Sequence, residues 1–406
     1  MRILYLCHRI PYPPNKGDKI RAFHQLRALG AHHEVDVFTL ADEAEDLAHR
    51  EALATFCRQL TVARVHPKLA RLRTLPYLFT RTPLTVPYFY SAALEREVRR
   101  ALLTHSYDRI FVYSSSMAQY VESAGAVPTL MDLVDVDSDK WAQYAAHSKF
   151  PFSAVYRREA WTLEEYERRV CHRAAAVLVS TEREARLARE IAPAARVHVL
   201  PNGVDTDYFH PAAPARSDPR MVFTGDMSYF PNEEAVIFFA RQVLPLIQQS
   251  IAEARFLIVG RNPGPRVREL SKLTGVEVTG FVPDVRSWLA KARVAVAPFT
   301  IAAGIQNKIL EAMSCGLPVV ATTRAAQGLS RRVAALVDTA DTAAELASSL
   351  VVLLRDPDLA RSKGMDGRVS VMEDYSWDGA TKRLIDLIED PITAEIPKVK
   401  KQSSLA

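Results

Sequence analysis

The sequence predicts an α/β protein made of two parallel-sheet domains in tandem. Three observations carry that prediction. Short apolar runs alternate with amphipathic helical stretches in the first half of the chain. A turn-rich stretch holding four prolines interrupts the alternation at 201–219, and a second set of similar size follows it. Apolar runs flanked by helices are the pattern of parallel strands covered on both faces. The length agrees, since 406 residues make two domains at roughly 100–200 residues each.

In the first half, strands are expected at 2–7, 34–40, 108–113, 128–132, 174–180 and 196–200. Helices are expected at 17–30, 42–57, 91–104 and 153–172. Residues 201–219 (PNGVDTDYFHPAAPARSDP) read as a linker by composition. The second half repeats the pattern, with strands at 221–225, 255–260, 276–281, 293–297, 318–322 and 334–337. Its helices fall at 232–248, 265–274, 284–291, 305–316 and 340–355. The domains are therefore expected at 1–200 and 220–375, followed by a closing helix at 376–390. Residues 391–406 are polar and without periodicity, and read as a disordered tail. Ligands of such sheets sit beyond the carboxyl ends of the strands, so a cleft between the two domains is the expected site.

Composition narrows the class. Hydrophobic residues are 48% and charged residues 24%, with a net charge of +5, ordinary values for a soluble globular protein. Cys7, Cys57, Cys171 and Cys315 have no metal-ligand spacing and read as reduced thiols of a cytoplasmic protein. Arg2–Cys7 is too short for the core of a signal peptide, and polar His8 and Arg9 follow it. No apolar run reaches 18 residues, so any membrane contact is expected to be peripheral. No G-x-G-x-x-G follows a strand, which speaks against a dinucleotide oxidoreductase. A G-x-S-x-G elbow and a glycosidase carboxylate pair are also lacking.

The segment 304–322 (GIQNKILEAMSCGLPVVAT) carries the strongest signal. Gly304 marks a helix start, and Gly316 with Pro318 ends the helix. Ile309, Ala312, Met313 and Gly316 share one face. Lys308 and Glu311 lie on another. A helix start offers free N–H groups and partial positive charge to a phosphate. Lys308 adds a full charge, and Glu311 can accept hydrogen bonds from two ribose hydroxyls. On spacing alone, an ordinary surface ion pair worth ~0.2–0.5 kcal/mol fits as well.

K-x-x-E-A-M-x-x-G-x-P-V-V-A-T resembles the donor-site helix of the family 4 retaining glycosyltransferases, which have the GT-B fold. Further segments agree in order: LPNGVDTDYFHP (200–211), VFTGDMSYFPN (222–232), GFVPDVRSWLAKARVAVAPF (280–299) and YSW (375–377). GDMSYFPN, GIQNK and MDLVDVDSDKWAQYA resemble a subgroup associated with bacterial exopolysaccharide and exosortase (PEP-CTERM) systems. The resemblance implies a GT-B fold, two Rossmann-like parallel-sheet domains facing across a cleft. It also implies a nucleotide-diphosphate sugar as co-substrate with no further cofactor, and a glycan or lipid-pyrophosphate acceptor. Transfer would retain the anomeric configuration and need no metal. On the donor side it points to Gly225, Phe281, Val282, Gly304, Ile305, Gln306, Asn307, Lys308 and Glu311, with Phe281 and Val282 in the base loop. Two rival readings stay open: a non-catalytic glycosyltransferase-like subunit, and a sugar-nucleotide epimerase on the same fold.

Two departures qualify the resemblance. Many members carry a glutamate eight positions before Glu311, where this chain has Ala303. Residues 226–232 lack the basic pair that often grips the pyrophosphate. Lys308, Arg261 and the cluster Lys16, Lys19 and Arg21 are the candidate replacements, although the cluster also fits a solvated helix start. On the acceptor side, Gly17 opens a helix where the family has its N-domain glycine loop, unless it is a simple strand–helix turn. Asp132 ends a strand and is the expected catalytic-side acceptor or sugar contact, with a turn or helix cap as the alternative. Asp135-Val136-Asp137 is formally a D-x-D metal motif, but the two-sheet organisation argues against that use. Residues 64–90 hold five basic residues (Arg64, Lys68, Arg71, Arg73 and Arg81) and no acid, beside Tyr77, Phe79, Tyr88, Phe89 and Tyr90. This fits either an anionic membrane surface or a solvated face beside core aromatics. No nucleic-acid recognition motif accompanies it.

Overall fold

The computed structural model describes residues 1–391 except 15, 16, 44, 123, 212–217 and 303. Two compact units emerge. The first is Met1–Pro201 with the chain from Ala380 onward, and the second is Asn202–Gly379.

The first unit is built on seven strands: β1 (Arg2–Cys7), β2 (Glu34–Ala41), β3 (Gln59–Arg64), β4 (Arg109–Tyr113), β5 (Thr129–Val134), β6 (Ala176–Val179) and β7 (Val197–Val199). Their order is β3-β2-β1-β4-β5-β6-β7, and each neighbouring pair is parallel. The period-2 geometry of a strand explains the near-continuous apolar runs. Ile3, Tyr5 and Cys7 pack into the core on one face of the sheet, while Leu4 and Leu6 pack into the core on the other. β3 falls where the sequence predicts no strand. It is an edge strand, largely half-buried, and its Gln59, Thr61 and Arg64 dilute the apolar pattern.

The second unit holds β8 (Arg220–Thr224), β9 (Arg255–Val259), β10 (Val276–Gly280), β11 (Val294–Ala297), β12 (Val319–Ala321) and β13 (Asp338–Thr339). The order is β10-β9-β8-β11-β12-β13, again parallel throughout. The strand expected at 334–337 moves to 338–339. The reason is local: the Ser330 side chain caps a short helix, Arg331–Ala334, and draws the apolar run into it.

Two boundaries also move. The expected linker is ordered at its start, where Val204 bridges Ser376 and its N–H donates to the Tyr375 carbonyl at 2.8 Å. Residues 212–217 of that linker, and the tail from 392, lie outside the described residues. The closing helix spans Trp377–Glu389. From Ala380 it counts with the first unit, where Leu384 and Ile388 are fully buried in that unit's core.

Candidate functional site

In the second unit, three loops at strand ends meet around one lysine. The helix expected from Gly304 starts later, at Asn307, and runs to Ser314 with Gln306 at its cap. Gly304 instead takes a left-handed turn, φ +60, ahead of the helix. Its carbonyl lies against Gly328, where a Cβ would come within 2.2 Å of the oxygen. The backbone of 304–306 is thus held by a contact that admits no side chain. Ile309, Ala312 and Met313 are buried, as their shared face requires. Asn307 accepts a hydrogen bond from Asn202 at 3.2 Å, which ties the 202–204 segment to the start of the helix.

Lys308 projects from the first turn into a tight seat. Its Nζ donates to Asn232 Oδ1 at 2.6 Å. It also lies 4.4 Å and 4.5 Å from the ring centres of Phe223 and Phe299, at cation–π range. Asn232 is buried, and its amide donates to the Asp226 carbonyl at 2.8 Å. One side chain therefore joins the lysine to the loop after β8. Gly225 makes room for both, since a Cβ there would sit 2.8 Å from the Asn232 amide and 3.2 Å from Nζ. Loss of hydration lowers the Lys308 pKa to about 7, against the opposing pull of the Glu311 charge. Burial likewise raises Glu311 to about 7, with Lys308 opposing. Two groups of opposite charge are both pushed towards neutrality by the loss of water around them.

Arg261, just beyond β9, lies next to this seat. Its Nε donates to Asp226 at 2.9 Å, while its Nη2 is buried without a hydrogen-bond partner. Burial would raise Asp226, but hydrogen bonds from Ser228 and Asn262 and the charge of Arg261 outweigh it and hold the carboxyl below its usual range. Arg261 thus brings a cation to a loop whose own residues 226–232 carry none. The base-loop residues lie apart from Lys308. Phe281 is 73% exposed, and with Val282 and Trp288 it lines an open groove of about 590 Å³.

The first unit corrects several expectations. Asp132 does not reach the surface. It is fully buried, accepts two hydrogen bonds from Arg21 (2.9 and 3.1 Å) and takes another from Gln25 at 2.5 Å. Its second oxygen also accepts from the Val134 N–H. A strand-end aspartate that tight is a structural anchor, because a paired buried charge is costly to expose. The basic cluster also turns inward. Arg21 is committed to Asp132 and the Leu200 carbonyl, and Lys19 is buried against Asp46 at 2.6 Å. Lys16 lies outside the described residues, as does Ala303. Gly17 opens the helix Gly17–His32, as its position after β1 suggests. Of the D-x-D pair, Asp135 accepts from Ser180 and Asp137 pairs with Lys140. Among the described residues no group of three or more His, Cys, Asp or Glu side chains is arranged to hold a metal.

Two family models cover most of the chain in turn. "Glycosyl transferase 4-like domain" matches residues 19–203, and "Glycosyl transferases group 1" matches residues 218–356. The chain belongs to the family 4 glycosyltransferases. Within that family, it is 29% identical over 238 residues to a GDP-mannose-dependent alpha-(1-6)-phosphatidylinositol monomannoside mannosyltransferase of Mycobacterium tuberculosis, covering 52% of this chain and 60% of that one. It is 28% identical over 223 residues to an alpha-maltose-1-phosphate synthase of the same organism, covering 47% and 56%. The chain thus spans less than two thirds of the length of these relatives. The GT-B fold extends over the whole. Sucrose-phosphate synthase from Thermosynechococcus elongatus superposes with a TM-score of 0.71 at 19% identity, covering 95% of this chain and 98% of that one. Anabaena HepE in complex with UDP and glucose gives 0.67 at 17%, covering 96% and 99%.

Asn232 is the residue that sequence reasoning missed. It stands in the quoted stretch 222–232, yet no periodicity or charge marks it. Only its contacts with Lys308 and Asp226 show what it does.

Proposed function

We propose that this protein is a retaining glycosyltransferase that moves a sugar from a nucleoside-diphosphate donor to a glycan or lipid-linked acceptor. The observation that carries the proposal is the seat of Lys308 at a helix start, where its Nζ is held by Asn232 between the Phe223 and Phe299 rings, close to Gly225. An ammonium held partly out of water in a fixed position binds a phosphate more strongly than a freely solvated one. Lys308 and the unpartnered Nη2 of Arg261 would take up the charge that grows on the leaving diphosphate. Glu311, one helical turn further on, would accept the ribose hydroxyls. Phe281 and Val282 would border the base, in the groove they line. The phosphate oxygen would remove the acceptor proton on the same face of the sugar, so neither a protein nucleophile nor a metal is needed. HepE has been observed with UDP-glucose, which supports a nucleotide-sugar donor here. The motifs GDMSYFPN and GIQNK favour a role in bacterial exopolysaccharide synthesis, at the cytoplasmic side of the membrane.

The test is calorimetry with nucleoside diphosphates. A charge-assisted hydrogen bond is worth ~1.5–3 kcal/mol, so Lys308→Ala should weaken diphosphate binding by roughly tenfold to a hundredfold. Unchanged affinity would sink the assignment. Transfer by purified protein, undiminished by EDTA and with retained configuration in the first-formed product by NMR, tests the chemistry. Failure to turn over any donor that binds would favour a non-catalytic subunit.

A further inference from the structure

We infer that residues 67–81, with the first turns of the helix Phe152–Arg173, form a surface that docks on an anionic lipid bilayer. The helix Pro67–Thr74 buries only Ala70. Leu69, Leu72 and Leu75 follow at three-residue spacing and are exposed by 63%, 62% and 53%, and Phe79 by 94%. A stripe of leucines facing outward costs free energy in water and needs a partner. Exposed Lys68, Arg71 and Arg81 are interleaved with it, and no acidic residue occurs from 64 to 90.

The structure also sorts the basic and aromatic residues of this segment by what they touch. Arg73, although exposed, is engaged by the chain itself, donating to the carbonyls of Pro87, Tyr88 and Tyr90. Tyr88, Phe89 and Tyr90 pack against the core of the first unit. The other exposed side chains of the segment include Leu69, Leu72, Leu75 and Phe79 with Lys68, Arg71 and Arg81. A second segment joins them. Arg158 donates to the carbonyls of Tyr77, Leu78, Thr80 and Thr82 at 2.5–3.1 Å, fastening the long helix to the turn that bears Phe79. On that helix, Phe152 and Trp161 are 63% and 58% exposed.

Charge decides the occupant. Apolar side chains rimmed by cations complement an interface that has hydrocarbon below and negative headgroups above. A second copy of this chain would set like charges against each other. This inference does not depend on the donor-site reading, because none of these residues touches Lys308 or its neighbours.

The experiment is vesicle co-flotation of the full chain. Vesicles of phosphatidylcholine with phosphatidylglycerol are compared with phosphatidylcholine alone, at low and high salt. Binding is expected only with the anionic lipid and should fall steeply with salt. Leu72→Glu combined with Phe79→Glu should reduce binding at least about tenfold. Lys68→Glu with Arg71→Glu should weaken it and flatten the salt dependence. All variants should keep the wild-type melting temperature and nucleoside-diphosphate affinity, which separates lost docking from lost fold or lost donor site. No flotation of the wild type with anionic vesicles at low salt overturns the inference. So does a leucine–phenylalanine variant that floats as well as wild type. A wild-type dimer that this variant dissolves, without lipid binding, would assign the surface to self-association instead.

Discussion

At the scale of the residue, Lys308 sets the behaviour of the proposed donor site. Its neighbours are two rings, a neutral amide and a carboxyl whose pKa burial raises to about 7. The folded pKa of about 7 lies below the ordinary value of 10.5. An arriving diphosphate favours the ammonium form, so binding above pH 7 should take up a proton. Affinity should be highest near and below pH 7 and fall by up to about tenfold per unit above it. Calorimetry at pH 8 in buffers of different ionisation enthalpy reads the proton directly. Asn232→Asp places a carboxylate against Nζ, keeps the lysine charged and should flatten this slope between pH 7 and 9. If Asn232 were only packing, the slope would not change. The lysine itself was legible in the sequence, because charge at a helix start is a local pattern. Its perturbation was not, because Phe223, Asn232 and Phe299 come from distant parts of the chain. Asp132 shows the reverse case. A strand-end aspartate is the right residue in the right place for chemistry, and only the three-dimensional neighbours Arg21 and Gln25 reveal that it is an anchor.

At the scale of the element, the helix Asp137–His147 shows how buried carboxyls can take the place of a cap. Its own Val136 cap position has no side-chain bond. Glu184 instead accepts from the Val136 N–H at 2.6 Å, and Glu167 accepts from the backbone and hydroxyl of Ser138. Burial, reinforced by the charge of Asp137, raises Glu167 to about 8 against those hydrogen bonds. Burial and the nearby Asp135 raise Glu184 to about 7. A carboxyl whose folded pKa exceeds its unfolded value stabilises fully below the unfolded value, about 4.5, and loses that contribution as pH rises through the folded one. Stability, and the melting temperature with it, should therefore fall between about pH 4.5 and 8, by on the order of a few kcal/mol at most. Lys308, with a depressed pKa, works in the opposite direction above pH 7, so the readout is the difference between variants. Glu167→Gln should melt with a visibly shallower pH dependence than wild type, while an equal slope would discard the assignment. No helix is expected here from the sequence, because Val136 offers no side-chain cap and the carboxyls at the helix start, Glu167 and Glu184, come from distant positions. β3 was hidden because an edge strand need not be apolar. The central strands were legible because burial on both faces leaves continuous apolar runs.

At the scale of the whole molecule, each unit has a core of its own, but the chain order does not keep the units separate. The core of the first unit includes Leu200 from just before the crossing, and Leu384 and Ile388 from the closing helix. Arg109 on β4 also donates to the Ile388 carbonyl at 3.2 Å. Among the described residues, the core of the second unit is drawn from Val204 to Tyr375. Sequence order places the closing helix after the second domain, and its amphipathic pattern says that one face is covered without saying by which sheet. Burial supplies the answer. Full burial of a leucine or isoleucine contributes about 1.5–3 kcal/mol, so ending the chain after Gly379 should cost the first unit roughly 3–6 kcal/mol. The second unit keeps all its core residues and should keep its fold. Scanning calorimetry of the shortened chain should then show the first unit melting far earlier, with a later transition that still moves upward on adding nucleoside diphosphate. Loss of the ligand-responsive transition, with the other one unmoved, would mean that the closing helix supports the second unit instead. Leu384→Ala with Ile388→Ala in the full chain gives the same separation in a gentler form. The two substitutions remove part of the same burial and should lower only the ligand-insensitive transition, by less than the truncation does.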